Sequence, residues 1–154
     1  SQPYVVALMA KTARLEPGDR VLEVGAGSGY AAAVLSRLAA RVFAVERLPG
    51  LADAARERLA RLGFGAVELR AGDGTLGWPE AAPFDAIVVS AGGPAVPETL
   101  KAQLAPGGRL VMPVGPEDGA QRLLRLTRRE EGWAEEDLGP VRFVPLIGAE
   151  GWPG

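Results

Sequence analysis

Apolar and polar positions along this chain follow two periods, and the switches between them divide it into elements. Residues 3–14 bring Val5, Leu8, Met9 and Thr12 onto one face at helical spacing, which predicts a helix. Ser1 stands where a capping hydroxyl would, and Pro3 sits in the tolerant first turn. Glu16-Pro17-Gly18-Asp19 has the proline and glycine placement of a type II turn. Short runs at 20–24, 41–46, 66–70, 84–90 and 109–114 read as strands, and 41–46 is as apolar as a strand covered on both faces. Between them lie a helix at 29–39, with Ala33, Leu35 and Leu38 available for burial, and a short one at 97–104. A third at 48–62 carries the stripe Leu51, Ala55, Leu59 and Leu62, ends at Gly63, and spaces Glu57 and Arg61 for a surface pair. Beyond residue 114 the period changes. Residues 121–129 and 141–146 alternate apolar with polar side chains, with a turn near Glu130-Glu131-Gly132 and no helix between them. That predicts an antiparallel pair closing the sheet. No repeat or domain boundary intervenes, so residues 1–154 read as a single doubly wound α/β domain.

The stretch around which this order is built is Val21-Leu22-Glu23-Val24-Gly25-Ala26-Gly27-Ser28-Gly29-Tyr30. Glycines at every second position allow backbone angles a side chain would forbid, and let a ligand lie against bare N–H groups at a helix start. A dinucleotide fingerprint needs glycine at the sixth loop position, where Tyr30 stands, and a phosphate loop needs a Gly-Lys-Ser/Thr ending that is missing. The pattern Glu-x-Gly-x-Gly-x-Gly resembles the first motif of class I S-adenosylmethionine-dependent methyltransferases, and implies their Rossmann-like fold.

Composition narrows the chemistry. The sequence holds no cysteine and no histidine, which rules out disulfides, thiolate nucleophiles, Ser–His relays and His- or Cys-ligated zinc. A formal charge of -2 offers no broad basic field for nucleic acid. No apolar run approaches the roughly 20 residues of a membrane span. A cytoplasmic monomer, with neither nucleic-acid nor membrane partner and no metal, is the expectation.

Glu46 falls 21 residues after Gly25, at the end of the second strand, where a carboxylate can accept the ribose hydroxyls of an adenosyl group. Asp73, between Gly72 and Gly74, is placed either to accept the adenine amino group or to serve as an Asp-Gly turn residue. Ser28 adds a hydroxyl to the loop or simply opens the helix, and Arg47 is placed to cover the adenine face or to sit in solvent. The donor methyl then points toward Ser90-Ala91-Gly92-Gly93-Pro94. That loop lacks the Asn/Asp-Pro-Pro-Tyr/Phe sequence of amino-methyltransferases acting on bases. An acceptor already ionised at neutral pH needs no base, and a carboxylate, ionised above about pH 4, qualifies. Catalysis would then consist of orientation for in-line displacement.

Ser1-Gln2-Pro3-Tyr4, the glycine stretch, Gly72-Asp73-Gly74, Gly77-Trp78-Pro79, Gly107 to Gly115 and Val141-Arg142-Phe143-Val144-Pro145-Leu146 together resemble the protein-L-isoaspartate O-methyltransferase family from end to end. The resemblance implies protein repair. The misplaced α-carboxylate of an isoaspartyl residue in a damaged protein is methylated from S-adenosyl-L-methionine, releasing S-adenosyl-L-homocysteine. The ester then closes to a succinimide whose hydrolysis restores some aspartate. By the same resemblance Ser1 is the active-site serine. Gly25, Gly27, Ser28, Gly29, Glu46, Arg47, Asp73 and Gly74 serve the cofactor, while Ser90, Ala91, Gly92 and Val144 border the substrate groove. Family members carry a segment ahead of this serine that helps enclose cofactor and peptide. The expectation for the 154 residues alone is a retained fold with weakened activity.

Three other readings stay open at this level. One is a class I methyltransferase with another carboxylate or a small-molecule acceptor. Another is an S-adenosylmethionine-binding module without catalysis, and the last an NAD-binding domain, disfavoured by Tyr30.

Overall fold

The computed structural model describes residues 2–154. Its element order is α1 (Pro3–Thr12), β1 (Arg20–Val24), α2 (Tyr30–Ser36), β2 (Arg41–Glu46), α3 (Pro49–Arg61), β3 (Glu68–Ala71), β4 (Phe84–Val89), α4 (Glu98–Ala102), β5 (Leu104–Val114), β6 (Gln121–Arg128) and β7 (Trp133–Val141). Two short 3-10 turns, Gly74–Leu76 and Pro79–Ala81, lie between β3 and β4. One sheet holds all seven strands in the order β3-β2-β1-β4-β5-β6-β7, and the chain reverses direction across it between β3 and β4. Pairings from β3 to β5 are parallel, while β5–β6 and β6–β7 are antiparallel, so the predicted closing pair is present.

Alternation along the central strands sorts the core into two layers. Val21, Val42, Ala44, Ala86, Val88 and Val111 pack beneath α1, α2 and α3. Leu22, Val24, Phe43, Val45, Ile87, Val89, Leu110 and Met112 pack on the other face with Phe84, Leu100 and Leu104. By the same alternation Glu23 and Glu46 point to the α1–α3 face, between the apolar residues of that layer.

Helix α1 is fastened to the sheet by charge as well as by Met9 and Ala10. Its last carbonyls have no partners within the helix. Arg109 on β5 supplies donors just past the helix end: Nε donates to the Ala13 carbonyl at 2.8 Å and Nη2 to that of Arg14 at 2.8 Å. Arg125 on β6 donates to the Thr12 carbonyl at 3.0 Å. The Arg109 guanidinium also pairs with the Asp19 carboxylate at 2.7 Å, and both side chains are largely buried. Arg109→Met should therefore cost about 3 kcal/mol of stability in chemical denaturation, since it strands Asp19 and the helix end together. A loss below about 0.5 kcal/mol, the size of a surface pair, would contradict this account.

The structure corrects several local expectations. The second antiparallel strand of the closing pair is Trp133–Val141, not 141–146. Glu16–Asp19 does form a turn, closed by the Asp19 N–H on the Glu16 carbonyl at 3.0 Å, but Gly18 does not take the positive φ of type II. In α3 the buried face is Ala52, Ala55 and Leu59, while Leu51 and Leu62 are exposed. Leu38 lies beyond the end of α2 and is exposed as well. Glu57 and Arg61 form no ion pair; on this helix Arg56 pairs with Asp53 at 2.8 Å.

Candidate functional site

At the carboxyl ends of β1 and β2 the chain leaves a cavity of about 750 Å³. The glycine loop forms one side of it. Gly25 and Gly27 both line it, with φ of +88° and +54° that a residue with a side chain adopts only with strain. Gly29, the third glycine, does not line it. A Cβ there would press on Leu59 at 3.3 Å, so this glycine lets the loop pack on α3. Ser28 is exposed and also off the cavity; its hydroxyl meets the Tyr30 N–H at 3.4 Å, the helix-opening role.

Glu46 stands at the cavity wall, nearly buried, and organises the loop opposite. Its Oε2 accepts the Gly27 N–H at 2.8 Å and its Oε1 the Leu48 N–H at 3.2 Å. Arg47 follows on the rim, exposed, and Gly74 closes the same side from the turn after β3. Asp73 is not among the lining residues. Its Oδ1 accepts the backbone N–H of Thr75 at 2.9 Å and the Thr75 hydroxyl at 2.6 Å, and its Oδ2 accepts the Ala149 N–H at 2.8 Å. Partial burial works against its ionisation, but these bonds, led by the Thr75 hydroxyl, outweigh it and hold the carboxyl below its ordinary value. This is the turn-residue role, extended to the chain's last residues.

The far wall is built by Ser90 and Ala91 after β4 and by residues 142–147 after β7. Val144 is exposed on that wall, whereas Gly92 is buried behind it. The Gly92 N–H bonds the Val144 carbonyl at 2.8 Å, and a Cβ there would meet Gln121 at 3.0 Å. Helix α1 lines the cavity with Val5, Val6 and Met9. Ser1 lies outside the described residues.

One residue at the site had been given no role. Glu23 lies fully buried at the cavity, and neither carboxylate oxygen has a hydrogen-bond partner. Burial, and then the nearby Glu46 charge, pushes its pKa up to about 8. Such an acid is expensive to bury unless something pairs with it. The signal was legible: an acid inside a strand whose other residues are apolar, two positions before the glycines. A second cavity, about 220 Å³ between Arg37, Arg41 and Phe64, lies at the amino end of β2, away from these groups. Among the described residues no helix is long and apolar enough to cross a membrane, and no cluster of three metal-ligating acids occurs.

The family model for protein-L-isoaspartate(D-aspartate) O-methyltransferase matches residues 1–151. The chain belongs to the protein-L-isoaspartate O-methyltransferase family. A relative of that name from Rhodopseudomonas palustris is 63% identical over 153 residues, covering 99% of this chain and 70% of its own length. Among solved structures, a protein-L-isoaspartate O-methyltransferase superposes with a TM-score of 0.90 at 35% identity, over 98% of this chain and 49% of that one. A Plasmodium falciparum isoaspartate methyltransferase, solved with S-adenosyl-L-homocysteine, gives 0.77 at 28% identity, over 96% of this chain and 75% of its own. The chain thus spans about half to three quarters of the relatives it matches.

Proposed function

We propose that this chain is the methyl-transferring domain of a protein repair enzyme that uses S-adenosyl-L-methionine to esterify the α-carboxylate of isoaspartyl residues. The observation that carries the donor assignment is the buried, unpaired Glu23 carboxylate at a cavity bounded by the glycine loop. A cation is the ligand that answers it, and the donor carries both an ammonium and a sulfonium. When bound, the donor supplies a methyl group activated by that sulfonium and leaves as S-adenosyl-L-homocysteine.

The chain's own groups then divide the work. Gly25 and Gly27 admit a ligand close to the backbone ahead of α2. Glu46 fixes that loop through Gly27 and keeps acceptor capacity for ribose hydroxyls. Glu23 faces positive charge, Arg47 covers the rim, and Gly74, where a Cβ would collide with Val24, lets the turn after β3 pack against β1 at the cavity edge. On the acceptor side, Ser90, Ala91 and Val144 form the wall against which a peptide would lie, and the family resemblance assigns Ser1 as the active-site serine. That carboxylate is ionised at neutral pH and attacks without a base, which suits a sequence without histidine or cysteine. The protein's contribution is alignment and exclusion of water.

The repair outcome is testable directly. A peptide holding one isoaspartyl residue, incubated with the protein and S-adenosyl-L-methionine, should pass through a succinimide and return part of its content as normal aspartate. An isoaspartyl content that stays the same with and without donor would refute the proposal.

A further inference from the structure

The last residues of the chain fold back on the site and are fastened to it at three places. At the first, the Gly92 carbonyl accepts both the Leu146 N–H at 2.8 Å and the Trp152 indole N–H at 3.1 Å, while the Trp152 backbone N–H returns to the Leu146 carbonyl at 2.7 Å. At the second, the Ala149 N–H bonds Asp73 at 2.8 Å and the Glu150 N–H bonds the Thr75 hydroxyl at 3.2 Å. At the third, the Glu150 carboxylate takes the Thr99 N–H at 3.1 Å on one oxygen and the Thr99 hydroxyl on the other.

The first two fastenings adjoin cavity walls, and the third anchors the same segment to α4. Gly92 follows Ala91, Asp73 and Thr75 flank Gly74, and Leu146 is itself a lining residue. The approach leaves no slack. A side chain at Gly148 would collide with Asp73 and Thr75, and one at Gly151 with the Leu146 carbonyl. None of these bonds reaches β1, β2 or the glycine loop, and the one contact on the donor side is made by Ala149 and Glu150 backbone N–H groups at Asp73 and Thr75, beside Gly74.

We propose that residues 146–152 form a clasp that holds the wall at 143–147 in register with Ser90 and Ala91, making Glu150 and Trp152 positioning residues for the acceptor. The proposal rests on the repair reading above. It separates two functions of the cavity: the loop and Glu46 hold the donor, and the clasp sets the acceptor wall.

Trp152→Phe keeps the ring and removes the indole donor, Glu150→Ala removes the Thr99 anchor, and Glu150→Gln keeps an oxygen for it. In amide hydrogen exchange, residues 90–93 and 143–147 should exchange roughly tenfold faster in the first two variants, with β1 and β2 unchanged. The KM for an isoaspartyl peptide should rise about tenfold while S-adenosyl-L-homocysteine affinity stays within about twofold, and Glu150→Gln should stay near the parent. Unchanged exchange at those amides, or donor affinity falling in step with peptide KM, would overturn the clasp. A parent that modifies no isoaspartyl peptide overturns the repair reading and the acceptor role with it. An active parent with unaffected variants overturns only the clasp.

Discussion

Glu23→Gln should hold a steady melting temperature from about pH 5 to about pH 9 while the parent's falls, and should bind S-adenosyl-L-methionine more weakly. The direction follows from proton linkage. Burial and Glu46 raise the folded-state pKa of Glu23 to about 8, from 4.5. Between those values the folded chain keeps a proton that the unfolded chain has lost. Stability therefore drops as pH rises through that window, by roughly 1 kcal/mol per pH unit, and levels off above it. The amide cannot ionise, so the variant lacks this slope. Donor affinity moves the other way: the carboxyl can release its proton to face a bound cation and the amide cannot, which should weaken binding roughly tenfold to a hundredfold. Thermal melts across pH and calorimetric titration with the donor check the two halves. A variant that shows the parent's alkaline slope would remove Glu23 as its origin. Undiminished donor affinity would remove it from the site.

Glu46→Ala should be the most damaging change to donor binding, on the order of a hundredfold or more by titration with S-adenosyl-L-homocysteine. Two losses combine. The ribose loses its acceptor, and the Gly27 and Leu48 N–H groups lose the carboxylate that now holds them at 2.8 and 3.2 Å. Since Glu46 also raises the Glu23 pKa, the alkaline slope should shift to lower pH in the same variant. Affinity within about twofold of the parent would place the donor elsewhere.

Where the chain's pattern is local, the sequence is a good guide. Residues 20–24 and 41–46 are strands with the expected bounds, because apolar runs ending in glycine or in an acid leave little choice. The second antiparallel strand was misplaced for a physical reason. Trp133–Val141 is an edge strand exposed on both faces and carries Glu135, Glu136 and Asp137, so it lacks the apolar alternation of a half-buried strand. Residues 141–146 do alternate, but that spacing serves a wall of the cavity pinned by Gln121 and Gly92, with Pro145 unable to donate to a ladder.

The site was legible to the same extent. Gly25, Gly27, Glu46, Arg47, Gly74, Ser90, Ala91 and Val144 all line one cavity, as one strand-end geometry would place them. Ser28, Gly29, Asp73 and Gly92 do not: Ser28 turns to the Tyr30 N–H beside it, while the other three meet partners far away in sequence, Gly29 packing on Leu59, Asp73 bonding Ala149 and Gly92 bonding Val144. Leu51 and Leu62 were expected in the core on helical period. The closely packed face of α3 instead uses alanines, which leaves Leu51 at the cavity. Only the tertiary structure shows that Glu23 has no partner.

The measurement that bears most directly on the whole account is transfer of a labelled methyl group from S-adenosyl-L-methionine to an isoaspartyl peptide, beside its aspartyl twin. Base-labile label on the isoaspartyl peptide alone is the predicted result, since a methyl ester is cleaved by base and the aspartyl twin does not present the misplaced α-carboxylate. Equal labelling of both peptides, or label that survives base, would contradict it.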